Sequence, residues 1–386
     1  MRVLVAFDKF KNALTAREAC ETAARALHAK HPDWSIDLCP LSDGGDGFED
    51  VLTSVTPGQR ITLPVTGPRG ARIETGFTLV TESRIPPAVR ARLQFFAHTG
   101  AEATLAIIEM AAASGLAALH PSQRNPWQTT SRGTGQLIRA ATEHGASAIL
   151  LGLGGSATHD LGLGALSALG MEFLDVTGTA IRPPIPANWD NLLRIEGRVA
   201  ATIPQIHIAC DVTTPLLGPS GAAATFAPQK GLHPDELPAL EEASERMATL
   251  LCAHCHQPPT LSGTPGAGAA GGTAFGLLCA AHAQLLPGFA LIADWLDLDA
   301  RLAAADMVLT GEGQFDSSSL GGKGPGAILT RALAAHKTVH LFAGKIVSPT
   351  AHDLLTLHTI TPTDTPLDRA LSETAALLSC ALESVF

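Results

Sequence analysis

The feature that most constrains the fold is a repeated pattern in which a short apolar run leads directly into an acidic or glycine-rich loop. Five clear instances are VLVAFDKFK, SIDLCPLSDGGDG, SAILLGLGGSATHD, QIHIACDVTTPLLG and ADMVLTGEGQFD. Helical patterns separate several of these runs. After the first run, Thr15 and Glu18 form a capping box in front of an apolar helical spacing. Strands that alternate with helices in this way predict parallel sheets and the α/β class.

The chain has 386 residues, which is long for a single domain, so we expect two. From about residue 60 to residue 105 the pattern becomes β-rich, with turn signals at Gly67, Pro68 and Gly70. Near the C-terminus, apolar strands that end in loops and alternate with helices appear again, as in the first 50 residues. We therefore predict a discontinuous, Rossmann-like α/β domain of residues 1–65 and 276–386, with a second α/β domain of residues 66–275 inserted into it.

The net charge and the composition argue against several classes of function. The net charge is −10 and there is no long basic run, which argues against nucleic acid or an anionic membrane as a partner. The N-terminus has only five apolar residues before Asp8, fewer than a signal-peptide core needs, and no later run reaches the length of a membrane span, so we expect a cytoplasmic protein. The seven scattered cysteines favour reduced thiols over a disulfide framework.

The stretch PGAGAAGG contains a G-x-G-x-x-G pattern at Gly266, Gly268 and Gly271. A dinucleotide fingerprint needs an apolar strand before the first glycine and an acid about 20 residues later. Neither is present, because QPPTLSGTP precedes the pattern and the next acid is Asp294. Two interpretations remain open: a turn that lets the backbone approach a phosphate, or a close-packed turn or hinge.

Other motifs are absent or weak. There is no P-loop, no protein-kinase signature and no nucleophile elbow around Ser156. The run CAHCH at residues 252–256 matches a haem-attachment pattern, but that chemistry belongs to exported proteins. A zinc site would need further ligands, and we interpret this run as a chance cluster at the end of a helix.

Acids and cations follow the ends of several predicted strands, where ligands of open parallel sheets bind. Carboxylates can hold Mg²⁺ or accept a hydroxyl proton, while lysines and backbone N–H groups neutralise phosphate oxygens. A single acid at such a position ordinarily caps a helix or stabilises a turn. Because such acids recur at several strand ends, the set favours phosphoryl transfer. The residues concerned are Asp8, Lys9, Lys11, Asp43, Asp46, Asp160, Asp211, Glu312, Asp316 and Lys323.

Over nearly its whole length the chain resembles the bacterial type I glycerate kinase family. The matching blocks, in the family's order, are FDKFKNALTA, LSDGGDG, VTGPRG, IEMAAASGL, TTSRGTGQLI, GLGGSATHD, ACDVTTPLLGPSGAA, FAPQKG, PGAGAAGG and TGEGQFDSSSLGGKGP. The resemblance implies a two-domain α/β fold with the active site in the cleft between domains. It also implies ATP-dependent, Mg²⁺-dependent phosphorylation of D-glycerate, usually to 2-phosphoglycerate and ADP.

On this hypothesis we place roles on the motif residues. Asp43 or Asp316 is the general base, and Lys323, like Lys11 and Lys230, binds substrate carboxylate or phosphate. Asp211 and Glu312 serve Mg²⁺. The further substrate-binding residues predicted are Asp8, Asp46, Ser156 and Thr158, and the predicted nucleotide-binding residues are Gly154, Gly155, Gly266, Gly268 and Gly271. For the GLGGSATHD loop, a purely structural turn is the alternative.

The chain departs from the family at Lys9, His159, Leu161 and Gly321, where the family has Ser, Asn, Gly and a bulky or basic residue. Its segment at residues 81–103 also looks longer than the family's loop. Three alternatives stay open: phosphorylation at C3, an NAD-dependent dehydrogenase that uses the glycine turn, and a ligand sensor without catalysis. A homodimer is the oligomer that we consider; the sequence does not fix the oligomeric state.

Overall fold

The structure is a computed structural model that describes residues 1–42, 44–94, 102–317, 319 and 324–386. The chain divides into two compact units. We call Met1–Asp43, Asp50–Val55 and Phe289–Phe386 the first unit, and Gly44–Glu49 and Thr56–Gly288 the second unit. The predicted division at residues 65/66 and 275/276 stays a prediction.

Thirteen strands are assigned within the described ranges. They are β1 (Arg2–Phe7), β2 (Ser35–Leu38), β3 (Gln59–Thr66), β4 (Arg72–Thr81), β5 (Thr104–Glu109), β6 (Ala148–Gly152), β7 (Met171–Leu174), β8 (Arg194–Gly197), β9 (Gln205–Ala209), β10 (Gln284–Leu286), β11 (Met307–Phe315), β12 (Thr338–Ile346) and β13 (Leu355–Thr359).

Fourteen α-helices are assigned in the same part of the chain. They are α1 (Ala16–Lys30), α2 (Phe48–Val55), α3 (Pro87–Leu93), α4 (Met110–Ser114), α5 (Arg132–Glu143), α6 (Leu163–Ala168), α7 (Ala222–Phe226), α8 (Leu237–Cys255), α9 (Ala269–Ala281), α10 (Gly288–Trp295), α11 (Leu298–Ala304), α12 (Gly324–Ala334), α13 (Leu367–Ser372) and α14 (Thr374–Val385). No helix among the described residues is long and apolar enough to cross a membrane.

The first unit is built on a five-stranded sheet in the order β13-β12-β11-β1-β2, and all of its strand pairs are parallel. Its core forms where strand residues such as Val5 and Phe342 pack with Leu27 of α1 and Leu378 of α14. Helix α1 begins at the predicted capping box, because Thr15 accepts from the Glu18 amide and Glu18 accepts from the Thr15 amide. These features confirm the predicted parallel α/β character.

The second unit contains a six-stranded mixed sheet in the order β10-β9-β6-β5-β4-β3. Strands β10, β9, β6 and β5 run parallel, whereas β4 pairs antiparallel with both β5 and β3. The β3–β4 hairpin turns at Gly67 and at Gly70, whose φ of 87° is left-handed and therefore suits glycine. A two-stranded sheet of β7 and β8 completes the unit.

One boundary differs from the sequence pattern, which predicts a single helix from Gly271 to Leu286. Ala270, Gly271 and Gly272 have left-handed backbone angles, so the regular helix starts only after them. At the other end His282 is also left-handed, with φ of 51°, and Gln284–Leu286 pairs with β9 as a strand. Apolar spacing alone does not separate a short buried strand from a helical continuation.

Candidate functional site

The parallel strands of the second unit end at one edge of the sheet, and polar residues lie at or just after the ends of three of them. Glu109 is the last residue of β5, the GLGGSATHD loop follows β6, and Asp211 follows β9. The loop Gly44–Gly47 joins this edge, because the Gly154 amide donates to the Gly44 carbonyl at 3.0 Å. The carboxyl ends of parallel strands are where α/β proteins place their ligands.

A buried lysine organises the loop after β6. Lys230 is only 2% exposed, and its ammonium donates to Ser156 Oγ at 2.9 Å and to the Thr158 carbonyl at 2.7 Å. Ser156 and Thr158 are themselves buried. Three residues that the sequence predicted for substrate binding are thus in direct contact. We call Ser156, Thr158 and Lys230 the lysine site.

Burial lowers the pKa of Lys230 to about 7, and the negative charge of Asp160 opposes that shift. An ammonium group has three N–H donors, and two acceptors are identified among the described residues. A carboxylate or phosphate oxygen at this ammonium would favour its charged form and compensate its desolvation. The lysine site therefore has the chemistry of an anion-binding group.

Asp46 lies against the same loop. A Cβ atom built on Gly155 would lie 2.2 Å from Asp46 Oδ1, and one built on Gly154 would lie 2.3 Å from the Cα of Gly45. Gly155 also has a left-handed φ of 74°. Both glycines are therefore required for the approach of two protein loops. Their predicted nucleotide contacts stay a prediction.

Glu109 lies outside the set of site residues predicted from the sequence. Its carboxylate accepts from the amide of Gly47, at 3.1 Å to each oxygen, and from the amide of Glu49 at 3.3 Å. It thereby holds the first residues of α2 and the loop that carries Asp46. Burial is the main reason that the pKa of Glu109 rises to about 7, and Asp46 adds to the rise. Its position at a strand end is the signal that could have identified it.

Asp160 fixes the backbone next to the lysine site. The fully buried carboxylate accepts from the Ser131 amide at 2.7 Å, the Ser131 hydroxyl at 2.9 Å, and the amides of Gly162 and Gly164 at 3.2 Å each. Burial raises the pKa of Asp160, and these hydrogen bonds oppose the rise. The contacts tie the starts of α5 and α6 together, which is a structural role.

The departures at His159 and Leu161 flank this aspartate. His159 is buried, and its Nε2 lies 3.1 Å from Ser244 Oγ, which donates to the Leu240 carbonyl. Burial, aided by the charge of Lys230, lowers the pKa of His159 to about 3, so the ring is neutral. Leu161 has a left-handed φ of 52°, a conformation that the family's glycine adopts without strain.

The glycine pattern at residues 266–271 also lies against protein backbone. A Cβ on Gly268 would be 2.2 Å from the Pro215 carbonyl oxygen, and one on Gly271 would be 2.1 Å from the Thr158 carbonyl oxygen. The segment before Gly266 is a 3-10 helix, Pro259–Gly263, and not a strand. Close packing accounts for these two glycines, and the strand of a dinucleotide fingerprint is missing. Nucleotide binding by Gly266, Gly268 and Gly271 stays a prediction.

The first unit carries a second polar edge, which we call the acidic edge: Asp8, Lys9, Lys11, Glu312 and Asp316. Strands β1 and β11 are adjacent and parallel, so their ends lie side by side. Lys9 pairs with Asp8 through its backbone amide at 2.7 Å and its ammonium at 3.7 Å. Lys11 is exposed, and a Cβ on Gly313 would be 3.3 Å from its amide nitrogen.

Asp316 directly follows β11, and its position is fixed by two neighbours. The Gln314 side-chain amide donates to Asp316 Oδ2 at 2.9 Å, and the Asp316 amide donates to Ser319 Oγ at 3.1 Å. The contact with Gln314 orients the carboxylate that is predicted as a general base. The other predicted catalytic residues, Asp43 and Lys323, lie outside the described residues, as does the departure at Gly321.

The predicted metal ligands are Asp211 in the second unit and Glu312 in the first. In the described part of the chain, no group of three or more His, Cys, Asp or Glu side chains is arranged to hold a metal ion. Mg²⁺ in kinases typically takes one or two carboxylates, with waters and phosphate oxygens completing its shell. Carboxylate oxygens are the donors that Mg²⁺ requires, so Asp211 and Glu312 fit its chemistry.

Comparison with known proteins identifies the family. A sequence model described as "Glycerate kinase family" matches residues 3–386. The glycerate kinase of Bacillus subtilis (strain 168) is 35% identical over 383 residues, which cover 97% of this chain and 94% of that protein. The glycerate 2-kinase of Escherichia coli (strain K12) is 33% identical over 350 residues, covering 90% and 86%.

A crystal structure from Salmonella typhimurium LT2, assigned as glycerate kinase 2, has a TM-score of 0.74 at 35% identity. The match covers 100% of this chain and 97% of that one. The predicted resemblance, the α/β fold class and the prediction of a phosphotransferase that acts on an alcohol group are confirmed. The chain belongs to the glycerate kinase family.

Proposed function

We propose that the protein transfers the γ-phosphoryl group of ATP to the C2 hydroxyl of D-glycerate, giving 2-phospho-D-glycerate and ADP. The observation that carries this proposal is the lysine site, in which a buried ammonium is held at a strand-end loop by Ser156 and Thr158. An isolated buried cation is costly, and an anionic substrate compensates that cost. Family membership, and the 33% identity to a protein named glycerate 2-kinase, support the substrate and the C2 position.

The predicted site residues have different tasks. In the second unit, Lys230 binds a carboxylate or phosphate oxygen, and Ser156 and Thr158 orient its ammonium. In the first unit, Asp316 accepts the proton of the attacking hydroxyl, with its carboxylate held by Gln314. Asp43 is the alternative base. The remaining predicted substrate contacts are Asp8, Lys11, Asp46 and Lys323, and Gly154, Gly155, Gly266, Gly268 and Gly271 are the predicted nucleotide contacts.

Asp211 and Glu312 are the residues that would hold Mg²⁺. When bound, the ion neutralises phosphate charge that develops during transfer. A cytoplasmic location and a homodimer stay predictions of the sequence.

The direct test measures glycerate-dependent ADP release and identifies the product by phosphorus NMR. We expect one phosphate resonance that matches 2-phosphoglycerate. A 3-phosphoglycerate product would contradict the C2 assignment, and ADP release that does not depend on glycerate would contradict the substrate.

The base assignment is tested by Asp316→Asn and Asp43→Asn, with the exposed Asp353→Asn as the matched control in the first unit. We expect one of the two test variants to lose kcat by about 100-fold or more at unchanged folding, because proton transfer contributes about that much. Near wild-type kcat in both would overturn the assignment.

A further inference from the structure

The CAHCH run acquires a partner in the tertiary structure. Cys255 ends α8, Cys279 lies in α9, which packs against α8, and both cysteines line one cavity. Both residues hold free thiols. Cys252 lies three residues before Cys255 on the same helix.

Cys255 and Cys279 line the same cavity, whose volume is about 610 Å³. This volume lies within the range of sites that bind small molecules, roughly 300–1,000 Å³. Arg198, His254, His256 and His282 also line the cavity, and none of its described lining residues carries a carboxylate. The lining therefore favours a small anionic molecule over a cationic one.

The three cysteines differ in accessibility. Cys255 is half-buried, whereas Cys279 and Cys252 are buried. The Sγ of Cys252 also contacts the Pro258 carbonyl at 3.7 Å. Contact with Cys279 lowers the pKa of Cys255, while the pKa of Cys279 is raised chiefly by its contact with Cys255. Because a thiol must be reached by the disulfide that it attacks, the half-buried Cys255 is the thiol that reacts first.

We propose that Cys255 and Cys279 form a redox-active dithiol, which a small anionic disulfide entering this cavity oxidises to an intramolecular disulfide. We do not favour a site for a soft metal ion here, because no group of three His, Cys, Asp or Glu residues in the described ranges is arranged to hold a metal.

The reaction is two successive thiol–disulfide exchanges. The Cys255 thiolate attacks one sulfur of the small disulfide, whose S–S bond breaks and releases one thiolate. Cys279 then loses its proton and attacks the Cys255 sulfur, releasing the second thiolate. The protein gives up two electrons and two protons, and the small disulfide becomes two thiols. The product disulfide joins the end of α8 to α9.

The experiment uses the full chain with glutathione disulfide as the probe, in a Cys380→Ser background because Cys380 is exposed. Alkylation and peptide mapping after oxidation should show that Cys255 and Cys279 are both protected and linked, and dithiothreitol should restore them. Cys279→Ser should instead retain a stable glutathionyl group on Cys255, and in Cys255→Ser the buried Cys279 should not react with glutathione disulfide.

Cys255 and Cys279 are both unsubstituted in this mapping, so the main test does not depend on the stability of variants at either position. If Cys255 and Cys279 can both still be alkylated after oxidation, the proposal is overturned. A disulfide between Cys252 and Cys255 would also overturn it. Arg198→Ser tests the preference for an anionic reagent: it should slow oxidation by glutathione disulfide several-fold and leave oxidation by neutral hydroxyethyl disulfide unchanged. Equal slowing with both reagents would contradict the anionic ligand class.

Discussion

The Lys230 ammonium donates to Ser156 Oγ at 2.9 Å, across 74 residues of sequence, and the lysine side chain is almost completely buried. This contact places a cation with a pKa of about 7 beside the loop that follows β6. The proposed binding of an anionic substrate depends on the charge of this group. Its removal is therefore the most direct test of the lysine site.

Lys230→Met should lower kcat/KM for glycerate by about 10- to 100-fold, which corresponds to the roughly 1.5–3 kcal/mol of a hydrogen bond to a charged group. The main change should be in KM, since the ammonium binds the substrate before and during transfer. Steady-state kinetics with varied glycerate measure it, and circular dichroism checks folding. Lys30→Met, at an exposed lysine of α1, is the matched control. An unchanged kcat/KM in Lys230→Met would exclude this role.

The pH profile gives an independent test of the same group. As pH rises through about 7, Lys230 loses its charge in the folded protein, so kcat/KM for glycerate should fall above that pH. The folded pKa lies below the unfolded one, so the unfolded state binds more protons between the two values. This group's contribution to stability therefore rises with pH across that window. Lys230→Arg should move the falling limb of the profile to higher pH; a limb that stays in place would point to another group.

Glu109→Gln tests the carboxylate that holds the Asp46 loop. The pKa of Glu109 is raised to about 7 in the folded protein, above its value in the unfolded chain. Between these two pH values the folded state binds more protons than the unfolded state, so the ionisation of Glu109 lowers the stability of the protein as pH rises. The melting temperature of Glu109→Gln, relative to wild type, should therefore increase from pH 5 to pH 8. Thermal melts at several pH values measure this difference. Glu242→Gln, on an exposed part of α8, should show no such trend.

Asp160→Asn should destabilise the second unit by about 1–3 kcal/mol, because the amide can accept fewer hydrogen bonds and leaves buried donors unsatisfied. Four donors converge on the Asp160 carboxylate in the native structure. Urea unfolding gives the change in the free energy of unfolding. Asp175→Asn is the control, since Asp175 accepts its hydrogen bonds in an exposed turn. Equal effects of the two changes would argue against the bracing role of Asp160.

Gly268→Ala tests whether the glycine turn is packed against protein. The new Cβ would lie 2.2 Å from the Pro215 carbonyl oxygen, so backbone must move, and we expect a loss of about 1–3 kcal/mol in the free energy of unfolding. Gly263→Ala is a matched control a few residues earlier, where a Cβ would meet nothing within 4 Å. Chemical denaturation compares them. A fully stable Gly268→Ala with weakened ATP binding would favour the phosphate interpretation instead.

The sequence by itself determined the fold class and the family. Apolar runs that end in acidic or glycine loops specify parallel strands, because buried strands need apolar side chains and their ends must turn. The capping box of Thr15 and Glu18 could also be predicted, because its two partners are only three residues apart in the sequence. The ten ordered blocks placed the chain in its family, and the comparisons confirm that placement.

Only the tertiary structure decided which residues meet. Lys230 contacts a loop more than 70 residues away, and Glu109 binds amides about 60 residues before it. It also separated the short strand Gln284–Leu286 from the helix before it and brought Cys279 to Cys255. Local spacing records which backbone conformation a segment prefers. Desolvation, shifted pKa values and contacts between distant loops arise only when the chain packs, so no local pattern contains them.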